Sequence, residues 1–212
     1  MMMDDRKTAV YSSKRNSAFF LRWTLYAQVS VSGISELNVR TAMSRFLAVT
    51  NTIRRADFWS WAYSDLVGNT ECGKLAEFIV SLVMNCSDGV SEAWGAFDVL
   101  SPEGTKIEVK TSAYLQSWAQ TTVSDIRFGV RKTLVWDYAV KEYTKQVMRQ
   151  ADVYVFCVEN FKEQELLNQL DLSQWEFYPM ATKTLNETIA KQKTVGLITL
   201  IAQGAKKCTF NE

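Results

Sequence analysis

The feature that most constrains the fold is a short turn at residues 102–104, a proline, a glutamate and a glycine between two apolar runs. Proline and glycine here favour a reversal of the chain. The run after the turn, residues 106–111, alternates Ile107 and Val109 with charged side chains, which is the period of a half-buried strand. Residues 94–100 before the turn also have the composition of a strand, so the sequence predicts a β-hairpin.

The elements around this hairpin follow from the hydrophobic period. Residues 70–84 carry apolar side chains at helical spacing, and small or apolar residues also occupy the opposite side. A helix that is apolar nearly all round is predicted to be buried. Its apolar stripe consists of Leu75, Phe78, Ile79, Leu82 and Val83. The further predicted elements are a strand at 125–130, a helix at 135–150, strands at 152–158 and 175–180, a short helix at 185–192 and a closing segment at 195–202.

This order of elements predicts an α/β fold with a mixed central β-sheet flanked by helices. Residues 70–212 would form its core. Residues 1–69 are predicted to be an N-terminal helical region, either part of the same domain or a small subdomain. Its arginines fit a contact with substrate or a partner, although a structural cap is the favoured interpretation. They are Arg40, Arg45, Arg54 and Arg55.

The charge balance excludes a protein that coats nucleic acid through overall basicity. The chain has 24 basic and 23 acidic residues and a formal net charge of +1. Any contact with DNA must therefore come from a local basic face. For each candidate residue taken alone, ordinary solvated charge is the favoured interpretation. The candidates are Arg127, Arg131, Lys132, Lys141, Lys145, Arg149, Lys206 and Lys207.

The chain contains no histidine. This excludes a Ser-His-Asp triad, a Cys-His dyad and any nuclease that depends on histidine. Hydrolysis would have to use carboxylates, lysine and metal-activated water. The four cysteines form no C-x-x-C pair, so we expect free thiols in a reducing cytoplasm rather than a zinc site. Neither a signal peptide nor a membrane-spanning run is apparent, and we expect a soluble cytoplasmic protein.

The residues that carry chemistry lie on the predicted hairpin. Glu108 and Lys110 are two apart on one strand and therefore share a face. Asp98 lies across the turn and can reach them. Two carboxylates within reach of one point bind a hard divalent cation such as Mg²⁺, and the backbone carbonyl of Val109 can add an oxygen. Lys110 would orient water or offset charge on the phosphate.

A further acid, Glu77, lies on the predicted buried helix. An unpaired buried carboxylate costs several kcal/mol, on the order of 3–5, unless a cation or donors compensate it. A metal held by Asp98 and Glu108 would be such a cation, and this interpretation is favoured. The other interpretation is that Glu77 pairs with an arginine or protrudes at the edge of the helix.

The arrangement of Glu77, Asp98 and Glu108-Val109-Lys110 resembles the PD-(D/E)XK nuclease superfamily, which includes restriction endonucleases. The resemblance covers roughly residues 70–160. It implies a restriction-endonuclease-like αβββαβ core and hydrolysis of DNA that depends on Mg²⁺, with Mn²⁺ as a substitute. It also implies that Asp98 and Glu108 bind metal, that Lys110 is catalytic and that Glu77 is an auxiliary acid. The proline of the family's name is absent here, since Phe97 precedes Asp98.

Residues after the lysine are candidates for contacts with substrate. Gln116 stands where some members of the superfamily carry a functional glutamine, although a solvated or turn residue is an equal alternative. Tyr114 shares this ambiguity. The substrate-binding candidates are Gln116, Ser112, Arg131 and Lys132. The expected partner is DNA, with no membrane, and a homodimer or a partner protein is left open.

Three functions remain open from the sequence. An active endonuclease in restriction, repair or mobile-element defence needs Asp98, Glu108 and Lys110, and all three are present. A catalytically inactive nucleic-acid-binding module on the same fold would usually have lost one of them. A structural or regulatory protein with a chance motif would leave Glu77 unexplained.

Overall fold

A computed structural model of the protein describes residues 53–92, 95–137 and 140–210. Backbone contacts divide the chain after Arg54, and the second unit, Arg55–Glu212, contains every element named below. The predictions for residues 1–52, including those for Arg40 and Arg45, lie outside the described residues. The predicted boundary between residues 69 and 70 therefore stays a prediction.

Two of the described α-helices precede the first strand, and two short ones follow the last two strands. The helices are α1 Arg55–Tyr63, α2 Asn69–Val83, α3 Thr182–Thr188 and α4 Leu197–Ala202. The strands are β1 Val99–Leu100, β2 Lys106–Ala113, β3 Arg127–Gly129, β4 Thr133–Asp137, β5 Glu142–Met148, β6 Val153–Glu159, β7 Trp175–Ala181 and β8 Thr194–Gly196. None of the described helices is long and apolar enough to cross a membrane.

The central sheet has four strands in the order β1-β2-β6-β7. Strands β2 and β6 run parallel, whereas the β1–β2 and β6–β7 pairs are antiparallel. The sheet is therefore mixed, as predicted. The β1–β2 pair confirms the predicted hairpin, whose turn is closed by a 2.9 Å hydrogen bond from the Gly104 amide to the Ser101 carbonyl. Gly104 has a φ of 86°, a conformation that favours glycine over residues with a Cβ.

The two faces of β2 meet different cores. Ile107 and Val109 pack with the buried side of α2 and with Trp175. The alternate residues, Glu108 and Lys110, lie beside β6 residues whose side chains belong to a second core with β3, β8, α3 and α4. Because side chains alternate along a strand, the charged pair faces this second side of the sheet.

Helix α2 is present where predicted, but the prediction that it is buried on nearly every side is wrong. Its buried residues are Cys72, Ala76, Ile79 and Val80. Phe78 is 51% and Val83 54% exposed. Small side chains at Cys72 and Ala76 let this side lie against the sheet together with Ile79, whereas Phe78, Leu82 and Val83 of the predicted stripe are exposed.

The predicted helix at residues 135–150 is wrong. Strands β4 and β5 form a separate antiparallel hairpin there. Trp136 and Tyr143 face each other across it, with ring centroids 4.9 Å apart. Lys141 in the connection has a φ of 54°. Branched and aromatic side chains favour strands, and this preference prevails over the helical spacing. The αβββαβ order therefore lacks a helix at this place.

Several other predicted elements differ from those of the structure in length or in the strand with which they pair. Strand β3 is short and pairs with β8 outside the four-stranded sheet. The strand before the turn is limited to β1, since residues 96–98 form a bend. Strands β6 and β7 confirm the predicted strands at 152–158 and 175–180. Helix α3 starts three residues before the predicted helix, and residues 195–202 divide between β8 and α4.

A buried acid ends β6. Glu159 is only 1% exposed, and the Phe161 amide donates a 3.2 Å hydrogen bond to its carboxylate. Burial raises the pKa of Glu159 to about 7, and the Phe161 amide opposes this rise. The buried Cys72 thiol also has its pKa raised, to about 12, by burial and by the charge of Glu159. The described structure contains four free cysteines, as predicted.

We predict that Glu159 makes the fold less stable as the pH rises. Its folded pKa of about 7 lies above the ordinary 4.5, so the folded state binds the proton more tightly, and stability is lost as pH rises through this window. Relative to Glu159→Gln, the wild type should lose up to about 3 kcal/mol of unfolding free energy across it. Urea unfolding from pH 4.5 to 8 measures this loss, with the exposed Glu163→Gln as control. Parallel stability curves for wild type and Glu159→Gln would contradict the prediction.

Candidate active site

Asp98 is fixed to the second strand of the hairpin by two hydrogen bonds. Its amide donates to the Ile107 carbonyl at 3.0 Å. Its carboxylate oxygen Oδ2 accepts from the Val109 amide at 2.7 Å. The amide and carbonyl of one strand residue point to the same edge of that strand. The Val109 carbonyl therefore lies on the edge of β2 that Asp98 occupies, as a backbone metal ligand here would require.

Glu108 and Lys110 form an ion pair on the adjoining face of β2. The Nζ atom of Lys110 lies 2.6 Å from Oε1 of Glu108. The spacing of two residues along the strand places both side chains on one face. Both are partly exposed, at 21% for Glu108 and 32% for Lys110, so solvent reaches the pair.

The pKa of Glu108 responds to two other carboxylates. Burial raises the pKa of Glu108 above its usual range. The ion pair with Lys110 opposes this rise, whereas the charges of Asp98 and Glu77 add to it. Like charges held together in this way favour the binding of a proton or a cation.

Glu77 is placed by helix α2. Its carboxylate accepts a hydrogen bond from Lys74, one turn earlier, at 2.6 Å. Lys74 also donates to the Ser91 hydroxyl at 3.2 Å. Glu77 therefore pairs with a lysine rather than with an arginine, while its charge still acts on Glu108. The structure thus places Glu77 and Asp98 within range of the Glu108 charge, although the three lie on two separate elements and a loop.

The oxygen atoms at this site are donors of the kind that bind a hard cation. Carboxylates of Asp98 and Glu108 and the carbonyl of Val109 are the oxygen ligands that Mg²⁺ and Mn²⁺ prefer. Within the described ranges, no three acidic or cysteine side chains already surround one point closely enough to hold a metal. The ammonium of Lys110 contacts Glu108 instead and supplies the positive charge beside it.

A cavity of about 500 Å³ opens over this group. One part of its wall is charged, with Asp98, Glu108, Lys110 and Arg131. Another part is aromatic. It consists of Trp136, Tyr143 and Tyr154. A cavity of this size, with a few charged groups and apolar walls, is typical of a ligand site.

The predicted substrate-binding residues do not lie together in the structure. Arg131 lines the cavity, and Lys132 is exposed but is not part of its wall. The Ser112 hydroxyl accepts from the Arg127 amide at 3.2 Å. The Gln116 side chain donates to the Ala113 carbonyl at 3.0 Å. Ser112 and Gln116 therefore make local structural hydrogen bonds, and their contact with substrate stays a prediction.

Arg149 was a candidate for a basic face, with ordinary solvated charge as the favoured interpretation, and the structure contradicts both. It is only 2% exposed. Its guanidinium donates to the Val130 carbonyl at 2.8 Å, the Asn186 side chain at 2.6 Å and the Ile189 carbonyl at 3.0 Å. These bonds join β3, α3 and the end of β5, so Arg149 is a structural residue.

The aromatic wall was missed by sequence reasoning. Trp136 and Tyr143 fell within the segment predicted as a helix, where no cross-strand pair would arise. Tyr154 lies on β6 opposite Glu108. The available signal was the continuous apolar run at residues 153–158, which predicts a buried strand whose alternating side chains place Tyr154 on one face.

Comparison with known families gives the class of the protein as a DNA-cleaving nuclease. The profile of bacteriophage T4 endonuclease IV matches residues 49–197. The match spans more than half of the chain, and the chain belongs to this family. The matched range includes α2, both hairpins and all the candidate site residues. No curated protein shows a significant match.

We predict that Glu108 lowers the stability of the metal-free protein at neutral pH. Because the pKa of Glu108 is raised in the folded protein, its protonated carboxyl adds to the unfolding free energy below the usual glutamate pKa. This contribution is lost at higher pH. Glu108→Gln should therefore have a larger unfolding free energy than wild type at pH 7, with a smaller difference in acid. Urea unfolding in the presence of EDTA measures both.

The matched control is Glu103→Gln in the turn of the same hairpin. A hydrogen bond from the Ser101 hydroxyl lowers the pKa of Glu103, so its neutralisation should give no gain in stability. An equal gain in both variants would show a general effect of net charge. No gain in Glu108→Gln would contradict the prediction.

Proposed function

We propose that the protein is a metal-dependent endonuclease that hydrolyses phosphodiester bonds in DNA at a centre of the PD-(D/E)XK type. Membership in the T4 endonuclease IV family supports the cleavage of DNA. The observation that carries the metal-dependent centre is the 2.7 Å bond from the Val109 amide to Asp98, beside the Glu108–Lys110 pair.

Asp98, Glu108 and the carbonyl of Val109 would hold the cation, and Mg²⁺ is the proposed ion with Mn²⁺ as a substitute. When bound, the cation supplies positive charge that lowers the pKa of water and offsets charge on the phosphate. The hydrogen bond from the Val109 amide holds the Asp98 carboxylate in place. Glu77 adds negative charge at the edge of the site and strengthens the attraction for the cation.

Lys110 is proposed to move its positive charge from Glu108 to the phosphate. In the described structure its ammonium contacts Glu108, and a cation bound there would repel it. The ammonium would then orient water or offset charge that develops on the phosphate. Both roles require Lys110 to lie on the same face as Glu108, which the strand spacing provides.

The rest of the cavity is proposed to bind the nucleotide. Arg131 supplies a guanidinium that suits a phosphate. Trp136 and Tyr143 supply aromatic faces on which bases can stack. The pair lies on the β4–β5 hairpin, which also lines the cavity. Charge and aromatic surface therefore meet at one place, as a nucleotide would require. We further propose a cytoplasmic protein that acts in restriction, repair or mobile-element defence.

We predict cleavage of supercoiled plasmid or linear DNA with Mg²⁺ or Mn²⁺ and none with EDTA. Asp98→Asn and Lys110→Ala should each lower the rate on the order of 10³-fold or more, since they remove groups that act together. Gel assays of nicked and linear products measure the rate, and circular dichroism checks that each variant is folded.

The control is Lys106→Ala, which removes a lysine from the same face of β2 but outside the cavity wall. It should cut nearly as fast as wild type. Cleavage that persists in pure Asp98→Asn or in EDTA would overturn the metal mechanism. A wild type that binds DNA and cuts no substrate would favour the inactive binding module.

A further inference from the structure

Tyr154 is the buried polar residue of the cavity that the proposed function leaves without a role. It lies on β6 directly opposite Glu108 in the parallel pair β2–β6. The residue is only 4% exposed and lines the cavity over Asp98, Glu108 and Lys110. Its ring stacks on Phe156, with centroids 5.9 Å apart and planes at 26°. Packing therefore fixes the direction in which its hydroxyl points.

The hydroxyl of Tyr154 has no hydrogen-bond partner among the described residues. Tyr178, equally buried in the same core, shows the usual arrangement, since it donates to the Glu176 carboxylate at 2.7 Å. Buried phenols nearly always have a partner. The Tyr154 hydroxyl is not wholly enclosed, and its side chain borders the cavity. Its partner is therefore expected to come from whatever fills the cavity.

The surroundings keep this phenol protonated. Burial raises the pKa of Tyr154 to about 12, and the charges of Glu108 and Asp98 add to the rise, while Arg149 opposes it. At neutral pH the group is an uncharged donor. The cavity wall holds two carboxylates, Asp98 and Glu108, which repel a phosphate, and Lys110, Arg131 and Tyr154 are among its donors.

We infer that Tyr154 is a further catalytic residue, whose hydroxyl donates a hydrogen bond to a non-bridging oxygen of the scissile phosphate. This rests on the proposed function of the same site. Charge builds on these oxygens as the phosphodiester bond breaks, so a donor that packing holds in place acts more strongly on the transition state than on the bound substrate. The proton stays on Tyr154 throughout.

The test compares Tyr154→Phe with Tyr178→Phe on an oligonucleotide whose cleavage position has been mapped with wild type. Tyr154→Phe should lower kcat on the order of 10- to 100-fold with KM nearly unchanged. Tyr178→Phe removes a hydroxyl from the same core, bonded to Glu176 instead, and should leave kcat nearly unchanged. Thermal unfolding checks that both variants are folded.

Two measurements separate contact with the phosphate from a role in placing Glu108. With one non-bridging oxygen replaced by sulfur, wild type should slow more than Tyr154→Phe, because the variant has already lost the bond to that oxygen. Titration with Mn²⁺ should give the same affinity for both proteins. An unchanged kcat, or equal sulfur effects with weaker Mn²⁺ binding, would overturn the inference. A wild type that cleaves no DNA would overturn the proposed function itself. That result is seen with the wild type alone, so it is distinct from a failure of the inference about Tyr154.

Discussion

The hydrogen bond from the Val109 amide to the Asp98 carboxylate holds the site together. At 2.7 Å it fixes a residue of a bend to the strand that carries Glu108 and Lys110. The hairpin turn brings Asp98 near β2, and this bond sets its direction. Without it, the carboxylate would have the freedom of a loop, and its distance from Glu108 would not be defined.

The charges at the site are unfavourable, and the surrounding fold holds them in place. The charges of Glu77 and Asp98 act on Glu108, whose pKa is raised even though Lys110 contacts it. Natural proteins keep such arrangements mainly where function requires them. The two cores on either side of β2 supply the stability that holds these charges in place. The cation proposed for this site would relieve the repulsion.

The sequence predicted the parts of the fold that local pattern determines. The turn and the alternating strand that carries Glu108 are where the period placed them, and the same strand spacing puts Glu108 and Lys110 on one face. The segment 135–150 could not be assigned, because its apolar spacing suits a helix while its branched and aromatic side chains suit strands. Arg149 and Tyr154 depend on tertiary neighbours, which the sequence does not show.

The most direct test of the metal centre is a crystal structure of the protein grown with Mn²⁺ and measured at the manganese absorption edge. We predict an anomalous peak within about 2.0–2.3 Å of oxygens of Asp98, Glu108 and the Val109 carbonyl, with the Lys110 ammonium displaced from Glu108. An anomalous peak elsewhere, or none at saturating Mn²⁺ with the Lys110–Glu108 pair intact, would contradict a metal centre at this hairpin.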